Sequence, residues 1–310
     1  MRVIFMGTPD FAVGTLEAII EAGHEVVLAV TQPDKPKGRG KAMQFPPVKE
    51  CAIAHGIEVF QPVKIRESAN LDYLETFAPD MIVVAAFGQI LPRRLLDMPR
   101  YCCINVHASL LPKYRGAAPI QWAVINGDAV SGVTIMRMDV GLDTGDMIAK
   151  EEVILAEDET GGSLFDRLAK VGAGLCVKTM AEIEAGRAVF TPQEESQATH
   201  VSMISKELGQ IDWSRDAVSI ERLIRGLDPW PSAYTRLGGK TLKIWKAQAI
   251  AENSTLTPGS IIRKGKNGLL VQTGDGLLAL KELQLEGKKR MDTAAFLNGY
   301  PLEEGQKLGE

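Results

Sequence analysis

Long apolar runs, cysteine and an excess of charge of either sign are all scarce in this chain, and each scarcity excludes something. No hydrophobic stretch approaches the ~18–20 residues that a membrane-crossing helix needs. The longest, Met81 to Phe87, has the length of a strand. The opening MRVIFMGTPD has neither the length nor the small-residue cleavage site of a secretion signal, and reads as a strand and a turn. Four cysteines, Cys51, Cys102, Cys103 and Cys176, fit no zinc spacing, and an adjacent pair is a poor disulfide framework. Reduced thiols in a cytoplasmic protein, with no metal, are the expectation. The net charge of −4 carries no sign of nucleic acid. The charge is uneven, however: residues 206–310 hold 16 Lys/Arg against 13 Asp/Glu, and the first 205 hold 19 against 26.

What is present is enough for a normal core, with 45% hydrophobic and 24% charged residues in 310. Over the first ~190 residues short apolar runs alternate with amphipathic stretches, the pattern of βαβ units and a mainly parallel, Rossmann-like sheet with helices on both faces. Strands are expected at Arg2–Met6, Glu25–Val30, Asp80–Phe87, Tyr101–Val106 and Gly132–Met138. Thr8 and Pro9 suit an N-cap and a first helical position. Further helices are expected at Ala117–Asn126 and Gly162–Glu184. The stretch Thr31–Pro47, TQPDKPKGRGKAMQFPP, is too polar and too rich in Pro and Gly for a regular element. It reads as a basic insertion loop, about residues 32–48. These features define a domain over 1–189 and a linker over 190–205. Residues 206–310 then change to β-grammar, with a hairpin at LLVQTGDGLLAL and glycine-separated strands around Tyr234–Leu237, Thr241–Ala247 and Ser260–Arg263. Ala217–Leu227 reads as a helix. A small barrel of the oligonucleotide-binding (OB-like) kind is expected there. Trp213, Trp230 and Trp245 are expected in its core or at a domain interface.

The stretch Ile104–Trp122, INVHASLLPKYRGAAPIQW, carries the chemistry. Asn105 and His107 lie two apart on a strand, so both side chains share one face. Carboxyl ends of parallel strands are where such sheets bind ligands. A glycine-punctuated loop, MDVGLDTGDM, supplies Asp139, Asp143 and Asp146, all three of which also suit turns. An amide, an imidazole and a carboxylate make a coherent set for acyl transfer to an amine. Asn105 and His107 can support the oxyanion, and His107 with a carboxylate can move protons, without a serine or cysteine nucleophile. His24 and His55 sit beside helix-ending glycines and His200 near the linker, and all three read as surface or capping residues.

Asn105-Val106-His107-x-Ser109-Leu110-Leu111-Pro112, Arg115-Gly116-Ala117-Ala118-Pro119-Ile120-Gln121 and Gly141-Leu142-Asp143-Thr144-Gly145-Asp146 together resemble the folate-dependent formyltransferases. Gly7-Thr8-Pro9-Asp10-Phe11-Ala12, the loop from Thr31 to Lys41 and Asp228-Pro229-Trp230-Pro231 resemble the members that act on charged initiator tRNA. The resemblance spans the whole chain, apart from Ala108, where many members carry glycine. It implies transfer of the formyl group of 10-formyltetrahydrofolate to the α-amine of methionyl initiator tRNA by direct amine attack. Nothing in the sequence fixes the oligomeric state, and a monomer is the expectation. The resemblance implies a catalytic trio of Asn105, His107 and Asp143. It also implies a folate pocket lined by Phe87, Gly88, Gln89, Ile90, Leu91, Ser109, Leu110, Leu111, Pro112, Val140, Gly141 and Leu142. Arg39 falls where the family wedges a loop against the acceptor end of tRNA. Lys35, Lys37 and Lys41 beside it, and Arg263, Lys264, Lys266, Lys288, Lys289 and Arg290 in the second domain, are candidate phosphate contacts.

Three rivals are weaker. A nucleotide-dependent oxidoreductase would need a glycine fingerprint, and GTPDFAVG puts Pro9 and Asp10 where a pyrophosphate must approach. A non-catalytic RNA-binding protein leaves the trio without purpose. A formyl-folate hydrolase, or a formyltransferase acting on an amino sugar nucleotide, has no use for the basic insertion.

Overall fold

The computed structural model describes residues 1–37, 42–263 and 269–309, with backbone only at Lys37, Ala42 and Arg263. The chain divides into two compact units. One comprises Met1–Pro119, Val130–Ile154 and Phe165–Val201, the other Ile120–Ala129, Leu155–Leu164 and Ser202–Glu310. Residues 190–201, within the stretch read as a linker, thus belong to the first unit.

That unit is built on seven strands: β1 (Arg2–Gly7), β2 (Glu25–Val30), β3 (Val59–Phe60), β4 (Met81–Ala85), β5 (Cys103–His107), β6 (Val130–Arg137) and β7 (Met147–Ile154). They lie in the order β7-β6-β5-β4-β1-β2-β3, parallel except that β6 runs against both neighbours. β4 and β5 are buried along their whole length, as continuous apolar runs in a sheet covered on both faces must be. On one face Ile4, Met6, Ile82, Val84 and Cys103 pack with Leu71, Leu74, Leu95 and Leu96. On the other, helix α1 (Asp10–Glu21) meets Phe165 of the long helix Gly161–Glu184 through Phe11, rings edge to face at 5.5 Å.

Several expectations need correction. Thr8 does not cap α1: Pro9 holds the cap position without a side-chain bond. The Thr8 hydroxyl instead accepts from Gln32 N–H (3.2 Å) and donates to the Phe87 carbonyl (3.5 Å), tying together the ends of β1, β2 and β4. The strand expected to reach Phe87 stops at Ala85, because Ala86 (φ 48°) turns into the left-handed region. The insertion is not wholly irregular, since Lys35–Lys37 and Ala42–Gln44 pair as an antiparallel stem. Lys49 pins its base, donating to Asp34 (2.7 Å) and Gln61 (2.8 Å). Strand β7 was not foreseen; its Lys-Glu-Glu run is exposed at the sheet edge and hides the alternation.

The second unit carries a curled antiparallel sheet: β8 (Ala233–Leu237), β9 (Lys240–Ile250), β10 (Ile261–Arg263), β11 (Leu269–Gln272), β12 (Leu277–Leu285) and β13 (Met291–Asp292). Its order is β8-β9-β12-β11-β10, with β13 on β12. Register breaks in β9 around Lys246 bend the long strands, as an OB-like half-barrel requires. Trp213 lies in the core with Leu242, Leu280 and Phe296. Trp245 is half-buried beneath the Arg290 guanidinium. Trp230, expected in a core or interface, is 54% exposed.

Strand β5 is held from behind by a close contact. A Cβ on Gly172 would lie 2.8 Å from a Val106 methyl and 3.5 Å from one of Val133. We therefore expect Gly172→Val to destabilise the protein by about 1–3 kcal/mol, read as a lowered Tm in thermal denaturation. An unchanged Tm would show that the helix can move off β5 at no cost.

Candidate active site

Strand β5 presents Cys103, Asn105 and His107 on one face, and the last two reach its carboxyl end. His107 is 6% exposed and Asn105 is 9% exposed. The Asn105 amide has no hydrogen-bond partner among the described residues. Its atoms are not among the buried unsatisfied ones, so the amide opens to solvent at this strand end and is free to meet a ligand. The His107 ring is held at both nitrogens. Nε2 lies 2.9 Å from the Tyr114 carbonyl, which can only accept, so Nε2 carries the proton of that bond. Nδ1 faces Asp143 Oδ2 at 3.7 Å, inside ion-pair range but beyond a direct hydrogen bond. Nδ1 is therefore the nitrogen that the backbone leaves free, with the Asp143 carboxylate beside it.

Asp143 reaches this position because its loop is tied from two sides. Its Oδ2 accepts from the Gly116 N–H at 2.8 Å. The side-chain amide of Gln193 donates to the Asp143 and Gly145 carbonyls, both at 2.7 Å. The Gln193 oxygen accepts from Arg115 Nε (3.0 Å), whose side chain is 1% exposed and pairs with Glu195 at 2.9 Å. Gly116 is required where it stands: φ is +102°, and a Cβ would lie 2.6 Å from the Val201 carbonyl. Tyr114 (φ 61°), Ala118 (φ 61°) and Asp143 (φ 53°) are non-glycine residues in the left-handed region. Such strain persists where surrounding contacts over-determine the backbone, and it clusters at functional sites. Ala108 is not among them, so its methyl group meets no backbone penalty.

The residues expected around the ligand divide into two groups. Ile90 (80% exposed), Val140 (57%) and Leu142 (58%) are large apolar side chains open to solvent. Phe87 and Leu91 are packed in the core, and Gln89 is occupied with Ile65 N–H (2.8 Å) and the Pro62 carbonyl (3.2 Å). From that segment only Gly88, Ile90 and backbone groups remain to touch a ligand. Ser109 donates to the Lys113 carbonyl (2.7 Å), and Leu111 N–H is held by Thr134 (3.1 Å). Leu111 also accepts from Lys150, whose partial burial lowers its pKa. These bonds shape the turn and leave Leu110 half-buried and Pro112 half-buried at its rim. Gly141 is exposed between Val140 and Leu142.

A cleft of about 510 Å³ opens beneath the Asp143 loop, lined by Leu96, Tyr101, Cys103, Met138, Asp139 and Thr144 among others. Sequence reading did not find these residues, because they are ordinary apolar and turn residues from separate stretches. Burial pushes the Cys102 thiol up to about 11 and Cys103 higher still, so neither supplies a thiolate nucleophile. Of the basic residues, Lys35, Lys288, Lys289 and Arg290 are exposed. Arg290 is partly committed, donating to Glu282 at 2.6 Å and lying over Trp245. Arg39, Lys41, Lys264 and Lys266 lie outside the described residues, and only the backbone of Lys37 and Arg263 is described.

Two family models match the chain: formyl transferase over residues 1–180 and the formyl transferase C-terminal domain over 203–301. A methionyl-tRNA formyltransferase from Agathobacter rectalis is 71% identical over 305 residues, covering 98% of each chain. One from Lachnospira eligens is 58% identical across the full length of both. Among solved structures, a Helicobacter canadensis N-formyltransferase in complex with folinic acid and dTDP-3-aminofucose has a TM-score of 0.67 at 18% identity. It covers 90% of this chain and 99% of that one. Aquifex aeolicus HypX with tetrahydrofolic acid has a TM-score of 0.62 at 17% identity, covering 100% of this chain and 51% of that one. At these identities the likeness is one of fold.

The ties on the Asp143 loop lead to a prediction. Gln193→Leu removes both donors, and we expect kcat/KM for formyl transfer to fall up to about 100-fold through misplacement of the carboxylate. Tm should fall as well, because the buried Arg115 Nε loses its acceptor. Steady-state kinetics with unchanged kcat/KM would show that the loop holds its position without Gln193.

Proposed function

The chain belongs to the formyl transferase family, and from that premise we propose that it moves a formyl group from 10-formyltetrahydrofolate to the α-amine of methionyl initiator tRNA. The observation that carries the chemistry is the unpartnered Asn105 amide on the same strand face as His107, with Asp143 drawn up beside the ring. The acceptor is supported by relatives at 71% and 58% identity over nearly the whole chain, both methionyl-tRNA formyltransferases. Work on initiator tRNA implies a place in the cytoplasm. Among the described residues no helix is long and apolar enough to cross a membrane.

The donor fits the cleft by its chemistry. Cys103, Met138 and Leu96 offer an apolar floor for a flat bicycle, and Asp139 and Asp146 offer acceptors for its amino edge. Ile90, Val140 and Leu142, exposed apolar side chains outside the lining of the cleft, are proposed to add apolar contact. We propose tRNA contacts for Lys35, Lys37, Arg39 and Lys41, within the insertion that begins beside Asp34, itself tied to Lys49 and Gln61. Lys288 and Lys289 are proposed to add phosphate contacts, as are Arg263, Lys264, Lys266 and Arg290.

The reaction follows from the groups at the strand end. The attacking amine must shed a proton, which the Asp143 carboxylate takes. As the amine closes on the formyl carbon, the carbonyl oxygen becomes an oxyanion, and the Asn105 N–H donates to it. His107 cannot offer Nε2 for this, since that proton is engaged by the Tyr114 carbonyl. Its contribution is the positive charge and proton at Nδ1, passed to the folate nitrogen as the carbon–nitrogen bond to the formyl group breaks. Return of the proton from Asp143 to His107 Nδ1, 3.7 Å away, restores both groups; the amine has lost one proton and the leaving nitrogen has gained one, so no nucleophilic side chain is needed.

His107→Ala and Asp143→Asn should each lower kcat by roughly 10²–10⁴ while leaving folate affinity close to normal. Single-turnover kinetics and folate titration check this, and near-normal turnover in either variant would remove that residue from the chemistry. In a transfer assay with labelled donor, charged initiator tRNA should be formylated. An amino sugar nucleotide should not, and the reverse result would replace the acceptor.

A further inference from the structure

A group of ligating side chains lies outside the candidate active site. Helix α2 (Pro47–Ala54) carries Cys51, and His55 caps its end. His55 is still within helical geometry: its N–H bonds to the Cys51 carbonyl at 3.2 Å. The two side chains are thus four residues apart on one face, where such pairs meet. Glu17 comes from α1, which packs against α2. The Glu17 carboxylate, the Cys51 sulfur and a His55 ring nitrogen all lie within 4.8 Å of one another. None of the three side chains has a hydrogen-bond or ion-pair partner among the described residues. Glu17 and His55 are exposed and Cys51 is half-buried, so the group is open to a solute while its sulfur is shielded.

We propose that Glu17, Cys51 and His55 form a binding site for a divalent, borderline-soft metal ion of the zinc class. One thiolate, one imidazole and one carboxylate are the donors such ions choose, and three protein ligands leave a fourth, tetrahedral position for water. With ligand distances of about 2.0–2.3 Å, a tetrahedral ion holds its donors about 3.3–3.8 Å apart. The present spacing, within 4.8 Å, closes to that by rotation of the exposed Glu17 and His55 side chains. Binding displaces the thiol proton of Cys51 to solvent as the sulfur–metal bond forms. Apart from the ion, the thiol is held protonated by burial and by the Glu17 charge beside it, which raise its pKa. That same negative charge favours a cation. Calcium and magnesium are excluded by the donor set, since they require oxygen ligands in greater number.

The consequence of binding is local. A bound ion cross-links α1 to α2, and α2 leads directly out of the basic insertion, whose stem ends at Gln44. The site therefore staples the platform from which that insertion rises. It holds no group used in formyl transfer.

Cobalt(II) is the probe, because a thiolate ligand gives it an intense near-ultraviolet charge-transfer band and four-coordination gives visible bands. Titration of tag-free, reduced protein should saturate at one equivalent with both features. Zinc(II) should displace the cobalt and raise Tm. Cys51→Ser should abolish the charge-transfer band. His55→Ala and Glu17→Gln should each weaken binding at least tenfold, and none of the three should alter formyl transfer measured without added metal. The buried Cys102, Cys103 and Cys176 cannot substitute as ligands. Absence of the band in the unaltered protein, or its survival in Cys51→Ser, would overturn the proposal. So would full affinity in both His55→Ala and Glu17→Gln.

Discussion

The hydrogen bond from the Gly116 N–H to Asp143 Oδ2 is the constraint on which the site's geometry rests. It brings a carboxylate from a loop after β6 to within 3.7 Å of a ring delivered by β5. It also requires a glycine at Gly116, left-handed backbone at Asp143, and the parallel pairing of Arg115–Gly116 with His200–Val201 behind it. Arg115 and Gln193 complete the support. A nearly fully buried guanidinium is costly unless it is paired, and here Nε is bound by Gln193 and Nη1 by Glu195. Carboxylate placement is thus secured from residues 115–116 and 193–201, neither of which carries a reacting group.

This support explains why the residues around the reacting centre are chemically plain. Tyr114 contributes a carbonyl, Gly116 an N–H and Leu111 a turn. What they supply is position, and position is what the proposed direct amine attack needs, since it forms no covalent intermediate. The Tyr114 carbonyl also divides the labour of His107. It occupies Nε2, which is why the proposed reaction uses Nδ1 for the proton and Asn105 for the oxyanion.

The parts of the fold legible in the sequence are those governed by short-range pattern. Buried β4 and β5 are uninterrupted apolar runs, and the strand period of two is enough by itself to put Asn105 and His107 on one face. The hairpin from Leu269 announces itself by its Gly-Asp-Gly turn. Asp143 is different, because three aspartates share its loop and only the family resemblance separates it from Asp139 and Asp146. Gln193 leaves no signal, being a polar residue 50 positions away from the loop it holds. Glu17, Cys51 and His55 are likewise invisible, because their grouping depends on the packing of α1 on α2. Strand β7 escapes because charge at a sheet edge erases alternation, and the 31–47 stem because prolines and glycines flank only three-residue strands. Trp230 is misread because a large aromatic residue is buried on average, and the turn it occupies overrides that tendency.

If His107 and Asp143 act as one proton-handling pair, their contributions cannot be independent. The most direct test is a double-mutant cycle on single-turnover formyl transfer at saturating donor, with His107→Asn, Asp143→Asn and the double variant. The account predicts that the double variant is no slower than the slower single variant, since either change alone disables the pair. Losses that multiply in the double variant would mean that the two residues act separately, and would contradict it.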